Sequence, residues 1–195
     1  AAHRDPSNVS RNVYRHPAET LQFLGIEPDM TVVEIWPGGS GWYMEILAPY
    51  LRDDGTYYAA SFDRDTSSEY LQGAIKKFEA KVAAHPEVYD KVKVTELSTS
   101  KTEIAPPGSA DMVLTFRNVH NWMKGGYADQ VFAAMFKALK PGGILGLVEH
   151  RGDSSVPQDP SAASGYVNED YAVQLAEKAG FELVDKSEIN ANPKD

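Results

Sequence analysis

The run Glu34-Ile35-Trp36-Pro37-Gly38-Gly39-Ser40-Gly41 puts an acidic residue and three glycines where an apolar stretch stops. Glycines there let the backbone turn tightly and approach a ligand with no Cβ in the way. A helix that follows offers free N–H groups and the positive end of its dipole. Asp63 stands 22 residues after Gly41, a distance at which a carboxylate can accept both hydroxyls of a ribose. The turn alone would suit any strand-to-helix corner; turn and carboxylate together point to a nucleoside ligand. Gly39-Ser40-Gly41 is followed by Trp42, Tyr43 and Met44, so the third glycine of the dinucleotide fingerprint G-x-G-x-x-G is missing. That counts against a nicotinamide-dependent oxidoreductase.

A second group of reactive side chains comes later. His120 and His150 each follow an apolar run, and a positioned imidazole acting as a base contributes about 10²–10⁴-fold. A structural hydrogen-bonding role is the competing reading for both. Arg117 and Arg151 have the planar charge that holds an anionic substrate. Trp36, Trp42 and Trp122 form either an aromatic wall for a flat or cationic ligand or ordinary core. Imidazole and carboxylate suit zinc or iron, but His120, His150 and Glu149 lack the i, i+4 spacing of a helical metal motif. Glu149 should also alternate away from His150 along a strand, so no metal is expected.

Positioning these groups requires strands that end beside them. Thr31–Trp36 is short, apolar and β-branched, as in a buried parallel strand. Tyr57–Phe62, Val92–Leu97, Asp111–Phe116, Ile144–Glu149 and Phe181–Ile189 read as five more strands. Helices are expected after His16-Pro17, over Trp42–Leu51, Ser67–Ala84, Ala128–Leu139 and Glu169–Ala179, the last capped by Asn168. The alternation implies a doubly wound α/β domain with a parallel sheet covered on both faces. Residues 1–14 are polar and aperiodic and read as a loose arm, with one domain over 15–195. The Gly152–Gly165 segment reads as a loop over the site, a candidate lid with Tyr166 at its end.

The Asp111 strand running into Asn118-Val119-His120-Asn121-Trp122, and Leu139-Lys140-Pro141-Gly142-Gly143 after the next helix, resemble the fourth and fifth motifs of class I S-adenosylmethionine-dependent methyltransferases. Arg15-His16-Pro17-Ala18-Glu19-Thr20-Leu21, the Glu34 to Gly39 run and Trp42-Tyr43 look more narrowly like a bacterial group of predicted methyltransferases. The resemblance spans about His16 to Ile189 and implies a Rossmann-like, mostly parallel sheet and S-adenosylmethionine as cofactor, with S-adenosylhomocysteine as product. It implies methyl transfer to a small-molecule acceptor; the alternative is a non-catalytic protein that binds the cofactor or its product. Glu34, Trp36, Pro37 and the Gly38, Gly39, Ser40, Gly41 turn would face the methionine part. Asp63 would hold the ribose, with Phe62 or Arg64 beside the adenine, and Arg117, Asn118 and His120 would flank the sulfonium. Trp36-Pro37 replaces the first glycine of the family's turn, Ser98-Thr99-Ser100 stands where an acidic residue often meets the adenine amine, and no seventh strand follows the sixth.

The 195-residue chain has 28 acidic against 19 basic residues, a net charge of −9. Such a surface repels phosphate backbones, so nucleic acid is not an expected partner. With no cysteine, thiolate chemistry, disulfides and Cys-based zinc sites are excluded. No run of about 18 apolar residues marks a membrane span. The Ala1-Ala2 start fits a removed export signal, which the resemblance also implies, with the cytoplasm as the alternative.

Overall fold

A computed structural model of the chain describes residues 2–192. In chain order the elements are α1 (Pro6–Val9), α2 (Asn12–Arg15), α3 (Pro17–Phe23), β1 (Thr31–Ile35), α4 (Met44–Leu51), β2 (Thr56–Phe62), α5 (Glu69–Ala84), α6 (Pro86–Tyr89), β3 (Lys93–Leu97), β4 (Ala110–Phe116), α7 (Val119–Gly125), α8 (Ala128–Ala138), β5 (Leu139–Val148) and α9 (Glu169–Ala179). All the strands pair in parallel, in the order β3-β2-β1-β4-β5. The order reverses between β1 and β4, which makes the crevice beyond their carboxyl ends the natural ligand site.

Side-chain alternation along the strands builds two cores. Val33, Ile35, Ala60 and Val113 face α7, α8 and α9, where Trp122, Phe132 and Met135 cover them. Val32, Tyr57, Ala59, Met112 and Leu114 face the other way, against Leu21, Leu47, Leu51 and Phe78. This double burial explains why β1 and β4 read as nearly continuous apolar runs. Asp111 ties the amino-terminal edge of the sheet together: it accepts the Thr31 N–H at 2.8 Å and the Lys140 ammonium at 2.7 Å. β5 begins at Leu139 rather than Ile144, and its register against β4 shifts between Ala110 and Met112. The Pro141-Gly142-Gly143 segment is thus taken into the strand as an irregularity, with Gly142 at a φ of +80°.

Two expectations are corrected. Phe181–Ile189 is not a strand; its backbone pairs with none of the sheet. Leu183 and Val184 are neighbours in sequence, so an extended chain would point them to opposite faces, and both are exposed. Phe181 finds an apolar partner, edge-on to Phe136 at 5.1 Å. Ion pairs hold the segment instead, Lys186 to Glu169 at 2.6 Å and Arg151 to Glu188 at 2.9 Å.

The described part of the amino-terminal segment is not loose. Its anchor is Glu45 at the start of α4, whose side chain is fully buried. That carboxylate accepts the Asp5 N–H at 2.9 Å, pairs with Arg4 at 3.3 Å and bonds Lys81 from α5. His3 reaches the Glu45 carbonyl, Asn8 donates to the Ser40 carbonyl, and the Trp42 indole donates to the Asn8 carbonyl at 2.8 Å. The arm therefore packs directly on the glycine turn. Its polar composition concealed this because the contacts are hydrogen bonds and charge pairs with no apolar period.

Burial works against ionised Glu45, but the Asp5 N–H and Lys81 outweigh it and hold its pKa below the ordinary carboxylate value. Replacing it by alanine strands Arg4 and Lys81, an uncompensated-charge penalty of about 2–4 kcal/mol. Glu45→Ala is expected to lower the unfolding free energy by that order and to open residues 3–9 to protease. Because the pKa is depressed, the contribution is present at neutral pH and fades as the pH falls through the carboxyl's folded pKa. Denaturant unfolding at pH 7 and pH 3 measures both effects.

Candidate active site

Both central strands leave the sheet in the same way. Trp36, directly after β1, has a φ of 48°, and Arg117, directly after β4, has a φ of 61°. Left-handed backbone at a non-glycine residue costs of order 1–3 kcal/mol and marks sites held by their surroundings. Each residue's N–H is secured on the adjoining strand, Trp36 to the Ala60 carbonyl at 2.8 Å and Arg117 to the Val148 carbonyl at 2.7 Å. Asn118 braces the two exits, its amide donating to the Ile35 carbonyl at 3.1 Å and to the Thr115 hydroxyl at 3.2 Å.

Beyond β1, Pro37 is buried and the chain turns through Gly38 and Gly41, with φ values of +68° and +53°. A side chain at Gly38 would meet nothing within 4 Å, so the turn is open on that side; one at Gly39 would press on Ala74 in α5 at 3.1 Å. Ser40 is tied by its carbonyl to Asn8. Glu34 sits beneath, on the α3–α4 face, 3% exposed, with the Tyr57 hydroxyl donating to it at 2.5 Å. Burial pushes the Glu34 carboxyl up to about 7, against the pull of Tyr57 and Arg15. The Arg15 guanidinium lies 4.6 Å over the Trp42 ring. Burial and the nearby charge of Arg117 draw its pKa down to about 10.

Asp63 follows β2 and faces the crevice from the other side. Lys101 donates to it at 2.7 Å, Ser98 at 2.8 Å and the Asp65 N–H at 2.9 Å. Led by Lys101, these bonds pull its carboxyl down to about 2. Lys101 also bonds Asp65 and Glu96. Arg64 turns outward to Glu79 and Glu96, while Phe62 packs against Trp36 at 4.9 Å between ring centres. Of the residues expected beside an adenine, Phe62 alone contributes a ring to the mouth.

The two histidines come together across the ends of β4 and β5, their ring centres 6.2 Å apart. Glu149 organises them. One of its oxygens accepts the Val119 N–H at 2.7 Å and the His120 N–H at 3.4 Å, at the start of α7. The other accepts His120 Nδ1 at 3.1 Å and the His150 N–H at 2.8 Å. A carboxylate on Nδ1 fixes the imidazole tautomer and leaves Nε2 as the basic nitrogen. Tyr166 closes the group, 5.7 Å from His150. The loop before it is built on its own bonds: Asp159 accepts from Ser161 and Ala163, and Asn168 donates to the Val156 carbonyl, leaving the last helix without its expected side-chain cap.

The sequence reading missed Glu149, Lys101, Ser98, Tyr57 and Arg15. Glu149 was set aside by strand alternation, but β5 ends at Val148, and past that point the alternation rule no longer governs. The Ser98 to Lys101 segment, directly after a strand on the ligand side, was a signal for the Asp63 partners. Two clefts lie off the crevice between β1 and β4, the first bordered by Tyr57 and the second by Lys101. One of about 410 Å³ opens at the amino-terminal ends of β2 and β3, lined by Gly55, Thr56 and Lys93. The other, about 500 Å³, runs along the outer edge of β3 by Glu96 and Lys101.

No family model and no curated protein matches the chain in sequence. Among solved structures, a SAM-dependent methyltransferase from Aquifex aeolicus shares the fold at a TM-score of 0.70 and 19% identity, over 93% of this chain and 86% of that one. A TehB-like SAM-dependent methyltransferase from Corynebacterium glutamicum follows it at 0.55 and 14% identity, over 92% and 83%. The cyclase SpnF has it too, at 0.65 and 15% identity, over 88% of this chain and 58% of that one. The chain thus has the Rossmann-like fold of class I methyltransferases, here with a five-stranded parallel sheet.

Glu34 gives the site a pH signature. A buried acid with its pKa raised from 4.5 to about 7 holds a proton in the folded state that the unfolded chain has lost. Its stabilising effect is complete below pH 4.5 and disappears as the pH rises through 7, a difference of about 3 kcal/mol. Glu34→Gln is expected to flatten the stability profile between pH 5 and 8 and to be the more stable protein at pH 8. Thermal unfolding across that range measures it; parallel profiles would assign the pH dependence elsewhere.

Proposed function

We propose that the protein transfers a methyl group from S-adenosylmethionine to a small-molecule acceptor that carries a proton, such as a phenol or a hydroxy acid. The observation that carries the reading is the Glu149–His120 pair. It stands at the switch point of a class I methyltransferase fold, across from the glycine turn and Asp63. The residues fit the cofactor's polar ends: the turn is open at Gly38, and Asp63 is a strongly acidic carboxylate positioned to accept a ribose diol. Bound S-adenosylmethionine supplies a sulfonium methyl, whose C–S bond breaks as the acceptor–carbon bond forms, leaving S-adenosylhomocysteine.

The protein's part is alignment and proton removal. Alignment of acceptor and methyl is worth up to roughly 7–11 kcal/mol. His120 takes the acceptor's proton on Nε2, and Glu149 stabilises the resulting imidazolium through Nδ1. Glu149 touches no substrate in this scheme and is a positioning residue, as its two helix-end N–H bonds also imply. His150 and Tyr166 line the acceptor side. A second reading, a protein that binds the cofactor without turning it over, draws on the engagement of Asp63 by Lys101 and Ser98. The cyclase SpnF, with the same fold, favours keeping the fold and the methyl transfer as separate questions.

Calorimetric titration with S-adenosylmethionine is expected to show saturable binding that Asp63→Ala weakens tenfold or more, roughly 1.4 kcal/mol. No binding to the unaltered protein removes the cofactor reading altogether. Turnover, read as S-adenosylhomocysteine release with a set of phenols and hydroxy acids, should fall about 10²-fold or more in His120→Ala. Glu149→Gln should lower kcat with the cofactor Kd unchanged. Imidazole in solution should restore part of the rate to His120→Ala and none to Asp63→Ala. Binding with no turnover of any acceptor would favour the second reading.

A further inference from the structure

The stretch where β2 and β3 end is occupied by a side chain of the protein itself. Phe62 and Leu97 are register partners and the last residues of their strands. The Trp36 indole lies across them: its Nε1 donates to the Leu97 carbonyl at 3.2 Å, and its ring centre is 4.9 Å from Phe62. Asp63, the proposed ribose carboxylate, is the next residue after Phe62. A base joined to a sugar held by Asp63 would reach the strand ends that the indole now covers. Below the indole stands Trp122, 5.9 Å away and edge-on. Trp122 is wholly buried, and its Nε1 has no hydrogen-bond partner. A buried donor left unpaired costs about 1–3 kcal/mol and calls for an explanation.

Three features therefore meet at one slot: an aromatic residue in left-handed backbone, its indole in tilted contact with the Phe62 ring and hydrogen-bonded to the Leu97 carbonyl, and the orphaned donor of the neighbouring Trp122. We propose that Trp36 is a built-in occupant of a nucleobase slot, and that a ligand enters by displacing its indole from Phe62 and the Leu97 carbonyl. The inference rests on nucleoside binding at Asp63, not on methyl transfer. A purine is the fitting class of base: it is flat, it stacks on Phe62, and its ring nitrogens accept hydrogen bonds of the kind Trp122 lacks.

The test compares the unaltered protein with Trp36→Phe, which shortens the ring, and Trp36→Gly, which empties the slot and suits the left-handed φ. Thermal unfolding first establishes that both variants are folded. Adenosine and S-adenosylmethionine are then titrated calorimetrically, and tryptophan emission is followed with acrylamide quenching. The expected result is adenosine binding at least tenfold tighter to Trp36→Gly than to the unaltered protein. In the unaltered protein, ligand should shift the emission to the red and raise quenching, and Trp36→Phe should lose that response. Tighter adenosine binding to Trp36→Gly, with S-adenosylmethionine bound by none of the proteins, supports the slot and removes the methyl-transfer reading. Binding of S-adenosylmethionine to all three with equal affinity and silent fluorescence overturns the displacement and leaves methyl transfer standing. Failure of all three proteins to bind either ligand overturns both.

Discussion

The left-handed turns at Trp36 and Arg117 are the constraint on which the site depends. A parallel strand that simply continued would carry the chain out along the sheet. A reversal of backbone sense directly after the last ladder bond throws it sideways over the strand end, toward the helix that covers one face. At β1 this exposes the glycine turn, and at β4 it brings the start of α7 back over β5 so that Glu149 can meet two of its N–H groups. Glycine would make either turn at no steric cost. That tryptophan and arginine stand there instead means their side chains are worth the strain, and the Ala60 and Val148 carbonyls hold both in place.

Electrostatics divides the crevice further. Two carboxylates at the ends of adjacent strands are driven in opposite directions, Glu34 up to about 7 by burial and Asp63 down to about 2 by Lys101 and its other donors. Environments that separate the acidities of neighbouring acids assign them different work. Glu34, bonded to Tyr57 within the core, belongs to the support beneath the turn. Asp63, charged and reachable, is the group that can meet a ligand. Arg15 and Arg117 gather positive charge beside the turn in a chain of net charge −9, so the local field at the switch point runs against that of the whole surface.

The parts legible in the sequence were those with a period or an obligatory residue type. β1, β2 and β4 announce themselves by nearly continuous apolar runs, the ends of α9 follow from its periodicity and Gly180, and Gly38, Gly41 and Asp63 stand out by type and spacing. Contacts between elements far apart in sequence carried no such mark. Glu45 with Arg4 and Lys81, Asp63 with Lys101, and His120 with Glu149 span 41, 36, 38 and 29 residues, and no local pattern forecasts them. The strand expected at Phe181–Ile189 fails for the opposite reason: local β-propensity is present, but strand propensity expresses packing against neighbours, and Leu183 and Val184 are exposed.

Asn118 shows how the two halves act as one frame. Its amide reaches the Ile35 carbonyl at the foot of the glycine turn and the Thr115 hydroxyl in β4, and the residue after it opens α7 over Glu149. Both bonds of the Asn118 amide are buried, where a lost partner costs more than a formed one contributes. The turn that would receive a nucleoside and the imidazole that would receive a proton are therefore held at a set separation by backbone and amide, with no long side chain in between. In methyl transfer the geometry between donor carbon and acceptor atom is nearly everything the protein can offer. Under the proposed transfer, this bracing would leave displacement of the Trp36 indole separate from the distance on which the chemistry would depend.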